Sequence, residues 1–342
     1  MLRPKPRTTI YDVADRAGVA ISTVSRVLNN SSDVSEPTRL RVQRAIEELQ
    51  FRPDRTAKTL AQKQTRSLAI AIPTFTTPFH TELMKGIRSR LQDQDTDLLL
   101  CDLGSKSHHT TLLNFLKRGA VDGLIVAGTP ITEPIGAELL ALRAPVVLIG
   151  SMLEEFDSFY WDDVSGSREA VRHLVSQGHK RIGMIVSQTE SELLTRRIQG
   201  YKDALADGGI EFDESLVRAG RTKKHAGYSE EAGYEAMQEL LGFSPPVTAV
   251  FASSDVQAIG AWKAIRDAGR RVPEDVALVG YDDIKTSHFI GLTSVDQNMH
   301  EVGERAIERL LERIADESIE DRVSEVIRPR LVVRETSLYS RA

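Results

Sequence analysis

The chain has one cysteine, Cys101, in 342 residues, and no apolar run long enough to matter to a membrane. A lone thiol can form no intrachain disulfide and is too little for a thiolate metal site, which suits a reducing compartment. Cys101 itself reads as a small buried hydrophobe on a strand. The longest apolar stretches, 68–72 and 121–127, fall far short of the roughly 20 residues that span a bilayer. The basic start (Arg3, Lys5, Arg7) runs into a charged segment, 12–17, where a secretory signal would need an apolar core, so a cytoplasmic protein is expected. Also missing are a glycine-rich phosphate loop after the first strand, a nucleophile elbow and zinc-ligand spacing. These absences argue against an enzyme, and no cofactor or metal is expected. His108-His109 opens a helix without further metal ligands around it.

What is present is an uneven charge. Residues 1–63 carry 12 Lys+Arg against 7 Asp+Glu, whereas the whole chain has a net charge of −5. A basic module on an acidic body points to a polyanion held by the N-terminal segment alone. Residues 9–50 read as three short helices. Thr9 and Asp12 form a capping box at the start of the first, and Gly18 supplies the positive φ that ends it. The second helix, 21–28, follows a short turn. Ser35 caps the third, with Pro37 in its first turn and Leu40, Val42, Ala45, Ile46 and Leu49 at its apolar positions. Two helices joined by a glycine-containing turn place the second in a DNA major groove. There Arg26 can grip guanine, Ser22 can donate or accept, and Ile21 can pack on a thymine methyl. Thr9, Thr23, Ser25 and Asn29 are small polar groups suited to phosphates.

From residue 67 the texture changes. Short apolar runs at 68–72, 98–101, 124–126, 146–149, 182–186, 249–251 and 276–279 alternate with amphipathic stretches, the pattern of buried parallel strands. The expectation is an α/β body of doubly wound parallel sheets in two lobes, with a ligand cleft at the carboxyl ends of the strands. Between the modules, the segment after Arg52-Pro53-Asp54 is a weak helix with few apolar residues, marginal in isolation.

Beyond these patterns, the run from Thr9 to Asn30 strongly resembles the lactose-repressor (LacI) family of bacterial regulators. The resemblance continues through Val34-Ser-Glu-Pro-Thr-Arg39, Ala45-Ile-Glu-Glu-Leu-Gln-Phe-Arg-Pro53, Val121-Asp-Gly-Leu-Ile125, Leu174-Val-Ser-Gln-Gly-His-Lys-Arg-Ile182, Gln199-Gly-Tyr201 and Val272-Pro-Glu-Asp-Val-Ala-Leu-Val-Gly-Tyr-Asp-Asp283. It implies a helix-turn-helix domain (1–51), a hinge helix and linker (52–66) and a periplasmic-binding-protein-like domain (67–342). The N-lobe of the last would comprise about 67–163 and 294–326, and the C-lobe about 164–293 and 327–340. It further implies a homodimer on a palindromic operator, with Ile21, Ser22 and Arg26 at the base-reading positions. The hinge, with Arg55, Ala57, Lys58 and Leu60, would enter the minor groove, Leu60 as the wedge.

For the body, the resemblance implies a small effector, a sugar in the first instance, bound by Phe79, Trp161, Asp162, Arg197, Tyr228, Ser254, Asp255 and Asp282. A nucleobase or a protein corepressor is the alternative regulator reading, and a sugar-binding transport protein is the alternative of another class. Trp161 reads equally as core, and Arg197 with Asp282 also reads as a structural ion pair. Lys223-Lys224-His225 reads as a solvated loop. Two departures stand out. Ala20 replaces the family's usual Ser before the recognition helix, losing a cap worth about 1 kcal/mol, and Ser254 replaces the frequent Asn. The short polar end, 334–342, lacks a heptad tail, which favours a dimer over a tetramer.

Overall fold

In this computed structural model the described residues are 8–28, 31–51, 65–92, 94–104, 108–117 and 121–338. The chain divides into two compact units, Met1–Arg66 and Ser67–Ala342.

The first unit holds α1 (Ile10–Ala17), α2 (Ile21–Leu28) and α3 (Glu36–Glu48) around a small core of Val13, Ala14, Ala17, Val24, Val27, Val42, Ala45 and Phe51. The capping box is present in full: the Asp12 amide donates to the Thr9 hydroxyl, and the Thr9 amide donates to the Asp12 carboxylate. Gly18 takes φ 62°, and its N–H and that of Val19 close onto Asp15 and Ala14 carbonyls. Two details differ from expectation. Ser35 stands at the N-cap position of α3, but its hydroxyl pairs with the Thr38 hydroxyl at 3.0 Å instead of a backbone amide. Leu40 is exposed, because the inward face of α3 is already filled by Val42 and Ala45. Replacing Thr9 with Ala should cost about 1 kcal/mol of stability in this unit, read as a lower urea midpoint for its helices. A change within error would show that the cap is idle.

The second unit begins with β1 (Ser67–Ile72), α4 (Pro78–Ser89), β2 (Asp97–Asp102), α5 (His108–Leu116), β3 (Gly123–Ala127), α6 (Glu133–Leu140), β4 (Val146–Ile149) and β5 (Asp157–Trp161). It continues with α7 (Asp163–Ser176), β6 (Ile182–Val186), α8 (Glu192–Asp207), β7 (Val217–Ala219), α9 (Glu230–Leu241), β8 (Ala249–Ala252), α10 (Asp255–Asp267), β9 (Ala277–Asp282) and α11 (Lys285–Phe289). The last elements are β10 (Thr293–Asp296), α12 (Met299–Ala315), β11 (Ser324–Ile327) and β12 (Arg330–Val332). Two six-stranded sheets result, in the orders β11-β5-β4-β3-β1-β2 and β12-β10-β9-β8-β6-β7. All pairs are parallel except β10 with β12.

The chain changes lobe at Asp162, at Gln297–Asn298 and between Ile327 and Arg330. The second crossing falls a few residues later than the resemblance suggests, since β10 is hydrogen-bonded to β9 throughout. Helix α12 then returns to the first lobe and packs on α4 so closely that glycine is needed on both sides. A Cβ on Gly86 would lie 1.9 Å from the His300 carbonyl oxygen, and one on Gly303 2.3 Å from that of Leu83.

In each sheet the strand order reverses once, between β1 and β3 in the first and between β6 and β8 in the second. The crevice outside the carboxyl ends of the strands at such a reversal is where open α/β sheets bind ligands.

Candidate functional site

Two surfaces carry the chemistry, one in each unit. In the first unit, Val24 and Val27 anchor α2 in the core, which leaves Ile21, Ser22 and Arg26 exposed on the opposite face. Thr23 and Ser25 are half-buried at the flanks. Ala20 offers no side-chain cap, and the first turn is closed by Thr23 and Val24 amides on the Ala20 carbonyl. Thr9 is exposed, but its hydroxyl donates to Asp12 at 2.7 Å, so a phosphate there would share it with the cap. Tyr11, 64% exposed on α1 beside it, is an aromatic that the motif reading passed over. Asn29 and the hinge residues Arg55, Ala57, Lys58 and Leu60 lie outside the described residues.

In the second unit, residues at or after the carboxyl ends of strands in both sheets form a connected chain from one lobe to the other. Phe79, at the start of α4, is edge-on to Trp161 with ring centroids 5.7 Å apart. Trp161 is buried and donates from Nε1 to the Gln297 carbonyl at 2.7 Å. Gln297 in turn donates from Nε2 to Asp282 at 2.6 Å. Asp282 closes β9 with φ 115°, a left-handed backbone that turns its carboxyl off the line of the strand. Burial pushes this carboxyl well above the ordinary range, Arg197 pulls against that, and Asp255 adds to it.

Arg197, buried on α8, donates from Nε to Asp163 at 2.9 Å and from Nη1 to the Ser253 carbonyl, and it stacks 3.7 Å over the Tyr281 ring. Burial opposes its charge, but Asp163 together with Tyr281, Asp282 and Tyr228 outweighs burial and keeps the guanidinium fully protonated. The ion pair is thus Arg197 with Asp163 and not with Asp282, because Asp163 sits in the first turn of α7 facing α8. Tyr228 feels the Arg197 charge, and its phenol is pushed up chiefly by burial. Its hydroxyl lies beside Ser187 without a well-formed hydrogen bond among the described residues.

Three expected pocket residues are engaged otherwise. Asp162 caps α7 through the Ser165 amide. Ser254 caps α10 through the Gln257 amide. Asp255 is fully buried and accepts from the Ile284 amide and from the Ser287 and Ser294 hydroxyls. Its carboxyl works as a latch on the segment after β9, and burial pushes it up to about 7 despite those bonds. Lys223 and Lys224 are exposed, as a solvated loop should be, and Lys224 pairs with Glu231.

Asp163, Gln297 and His80 are the residues the motif reading missed. His80 follows Phe79, and its Nδ1 is 2.6 Å from the Thr77 hydroxyl. Nothing in a single sequence separates Asp163 from its neighbour Asp162. Gln297 carries one usable signal, its place at the end of a strand just before an amphipathic helix.

Comparison with known proteins bears on both surfaces. Residues 9–54 match the family described as bacterial regulatory proteins, lacI family, and residues 171–337 match the periplasmic binding protein-like domain. The HTH-type transcriptional regulator CelR of Thermobifida fusca is 35% identical over 96% of this chain and 98% of its own. The HTH-type transcriptional repressor PurR of Mannheimia succiniciproducens is 32% identical, over 96% and 98% respectively. Among solved structures, the lac repressor dimer bound to operator and the anti-inducer ONPF superposes with a TM-score of 0.83 at 28% identity, over 98% of this chain and 100% of that one. A CelR–cellobiose complex does so with a TM-score of 0.68 at 34% identity, over 96% and 100%.

Proposed function

The chain belongs to the lacI family of bacterial transcription regulators, and from that premise we propose that it is a repressor of carbohydrate-utilisation genes whose operator affinity is set by a sugar. It is a DNA-binding regulator and not an enzyme. The observation that carries the DNA half of the reading is the exposure of Ile21, Ser22 and Arg26 on the one face of α2 that the core leaves open. A short rigid helix presented in this way suits base edges in the major groove.

The protein acts as a cytoplasmic homodimer on a palindromic site, each protomer reading one half. Edge strand β2 supports the dimer, since Leu99 and Leu100 stand 41% and 47% exposed along it, an apolar edge that a monomer would leave to aggregation. Sugar in the cleft favours one arrangement of the two lobes, and thereby of the paired N-lobes. That arrangement decides whether two hinge segments, 54–62, can meet on the DNA. The ligand shifts the equilibrium only by its differential affinity for the two arrangements.

Gel-shift selection on randomised duplexes, with and without mono- and disaccharides, tests the reading. Recovery of a palindrome whose binding changes with one sugar supports it, and failure to retain any duplex at low salt overturns it. On the selected site, Arg26→Ala should cost about 1–3 kcal/mol and relax preference at one position of each half-site. Uniform weakening over all sequences would mark a phosphate contact instead.

A further inference from the structure

Among the described residues, three buried polar atoms around the cleft lack a well-formed hydrogen bond: His80 Nε2, the Tyr228 hydroxyl, which has Ser187 beside it, and Gln297 Oε1. They come from α4 in one lobe, from the loop before α9 in the other, and from a crossing between them. Leaving such atoms unpaired in a dry interior costs free energy, so a cluster of them marks where a ligand's polar groups would go. His80 is about nine-tenths buried and faces the second lobe closely enough for His225 to act on it electrostatically. Its other ring nitrogen is held by Thr77, and Nε2 lies so close over Gly128 that a Cβ there would come within 2.7 Å of it.

The charges around these atoms are already matched. The Arg197 guanidinium is spent on Asp163 and the Ser253 carbonyl, and Asp282 is the next ionisable group along the chain of contacts. Burial, reinforced by His225, brings His80 down to about 4, so the ring is neutral at physiological pH. The lysines of the 223–224 loop are exposed to solvent. Among the described residues, an incoming phosphate or carboxylate would therefore meet no uncompensated cation inside the cleft, a desolvation cost without return. A hydroxyl, which donates and accepts at once, suits all three unpaired atoms: a carbonyl oxygen, a phenol and an imidazole nitrogen.

Resting on the sugar-effector reading above, we propose that the cleft selects an uncharged polyhydroxylated ligand over its phosphorylated or acidic counterparts, and that His80 is a specificity-determining residue, its Nε2 pairing with a ligand hydroxyl. Thr77 can donate to Nδ1 or accept from it, so Nε2 can meet a hydroxyl in either role.

The test is calorimetric titration of the full-length protein with a panel of neutral mono- and disaccharides, including ribose and cellobiose, against ribose 5-phosphate, glucose 6-phosphate and gluconate. The expected result is binding of a neutral sugar with affinity unchanged from pH 6 to 8. His80→Phe, which keeps a ring of similar size, should weaken that binding about tenfold, the worth of one lost hydrogen bond. His80→Gln, which keeps a polar end, should recover part of it, and thermal melts of the unliganded variants separate lost binding from lost folding. Tighter binding of a phosphate or acid, or affinity that falls as pH rises, overturns the proposal. So does unchanged affinity in folded His80→Phe, or silence from every neutral sugar. Operator binding of the wild type, measured separately, shows whether the regulator reading fails with it.

Discussion

Arg197→Met lowers the stability of the two-lobed unit by about 3–5 kcal/mol. The argument rests on what stays behind. Asp163 is 5% exposed, and its Oδ1 receives both Arg197 Nε and, at 3.2 Å, the Tyr281 hydroxyl. Without the guanidinium, a buried carboxylate keeps one neutral donor and must take up a proton or draw in water. Met fills the stem's volume, so the loss is electrostatic and not a cavity. In Asp163→Asn/Arg197→Met the orphaned charge is gone, and at least half of the lost stability should return. Chemical denaturation of the four members of this cycle measures the coupling. If both single variants lose under 1 kcal/mol, the pair is not what holds α7 to α8. Because Arg197 Nη1 also holds the Ser253 carbonyl at the end of β8, the same variant should abolish sugar response in the gel shift.

Asp255→Ala follows, at roughly 3–5 kcal/mol, because three donors at about 1–3 kcal/mol each lose their acceptor and only some can turn to one another. The Ile284 amide and the Ser287 and Ser294 hydroxyls lie 2.5–2.9 Å from this one carboxyl. The segment they hold joins Asp282 to β10, so hydrogen exchange should rise first over 284–292. The pH dependence has a definite sign. A carboxyl held at about 7 in the fold, against 3.8 in the unfolded chain, keeps its proton longer when folded. Its stabilising contribution is therefore complete below about pH 4 and is lost as pH climbs toward 7. Asp255→Asn carries no such proton, so the gap in stability between wild type and Asp255→Asn should move in favour of the Asn variant between pH 5 and 7.5. A constant gap would mean that the carboxyl is ionised in the native state throughout.

Much of the architecture was legible beforehand, because the signals are local. The Thr9-Asp12 cap and Gly18 need only neighbours within a few residues, and the central strands of both sheets are buried on both faces, which makes them short unbroken apolar runs. The strands left out break that rule. β5 reads Asp-Ser-Phe-Tyr-Trp, and its Asp157 is paid for by Arg309 from α12, a partner far along the chain. β10, β11 and β12 carry polar residues at a crossing or an edge.

At the cleft the division is sharper. Phe79, Trp161, Arg197, Tyr228 and Asp282 could be named because motif position gives them a place in the chain, but their partners could not. An aspartate one residue before a helix, such as Asp162, and one in its first turn, such as Asp163, look alike in a linear string. Only the approach of α8 makes one of them a cap and the other the counter-ion of Arg197. In the same way Asp255 is turned from the cleft by three donors that meet it only in three dimensions. Composition, capping and periodicity by themselves determined two modules, their fold classes and the exposed face of α2, since these depend on short-range sterics and on which residues shun water. Which carboxylates are neutralised, and which polar atoms are left unpaired, was decided by the tertiary structure alone, because a buried charge is settled by whatever long-range packing places within about 4 Å of it.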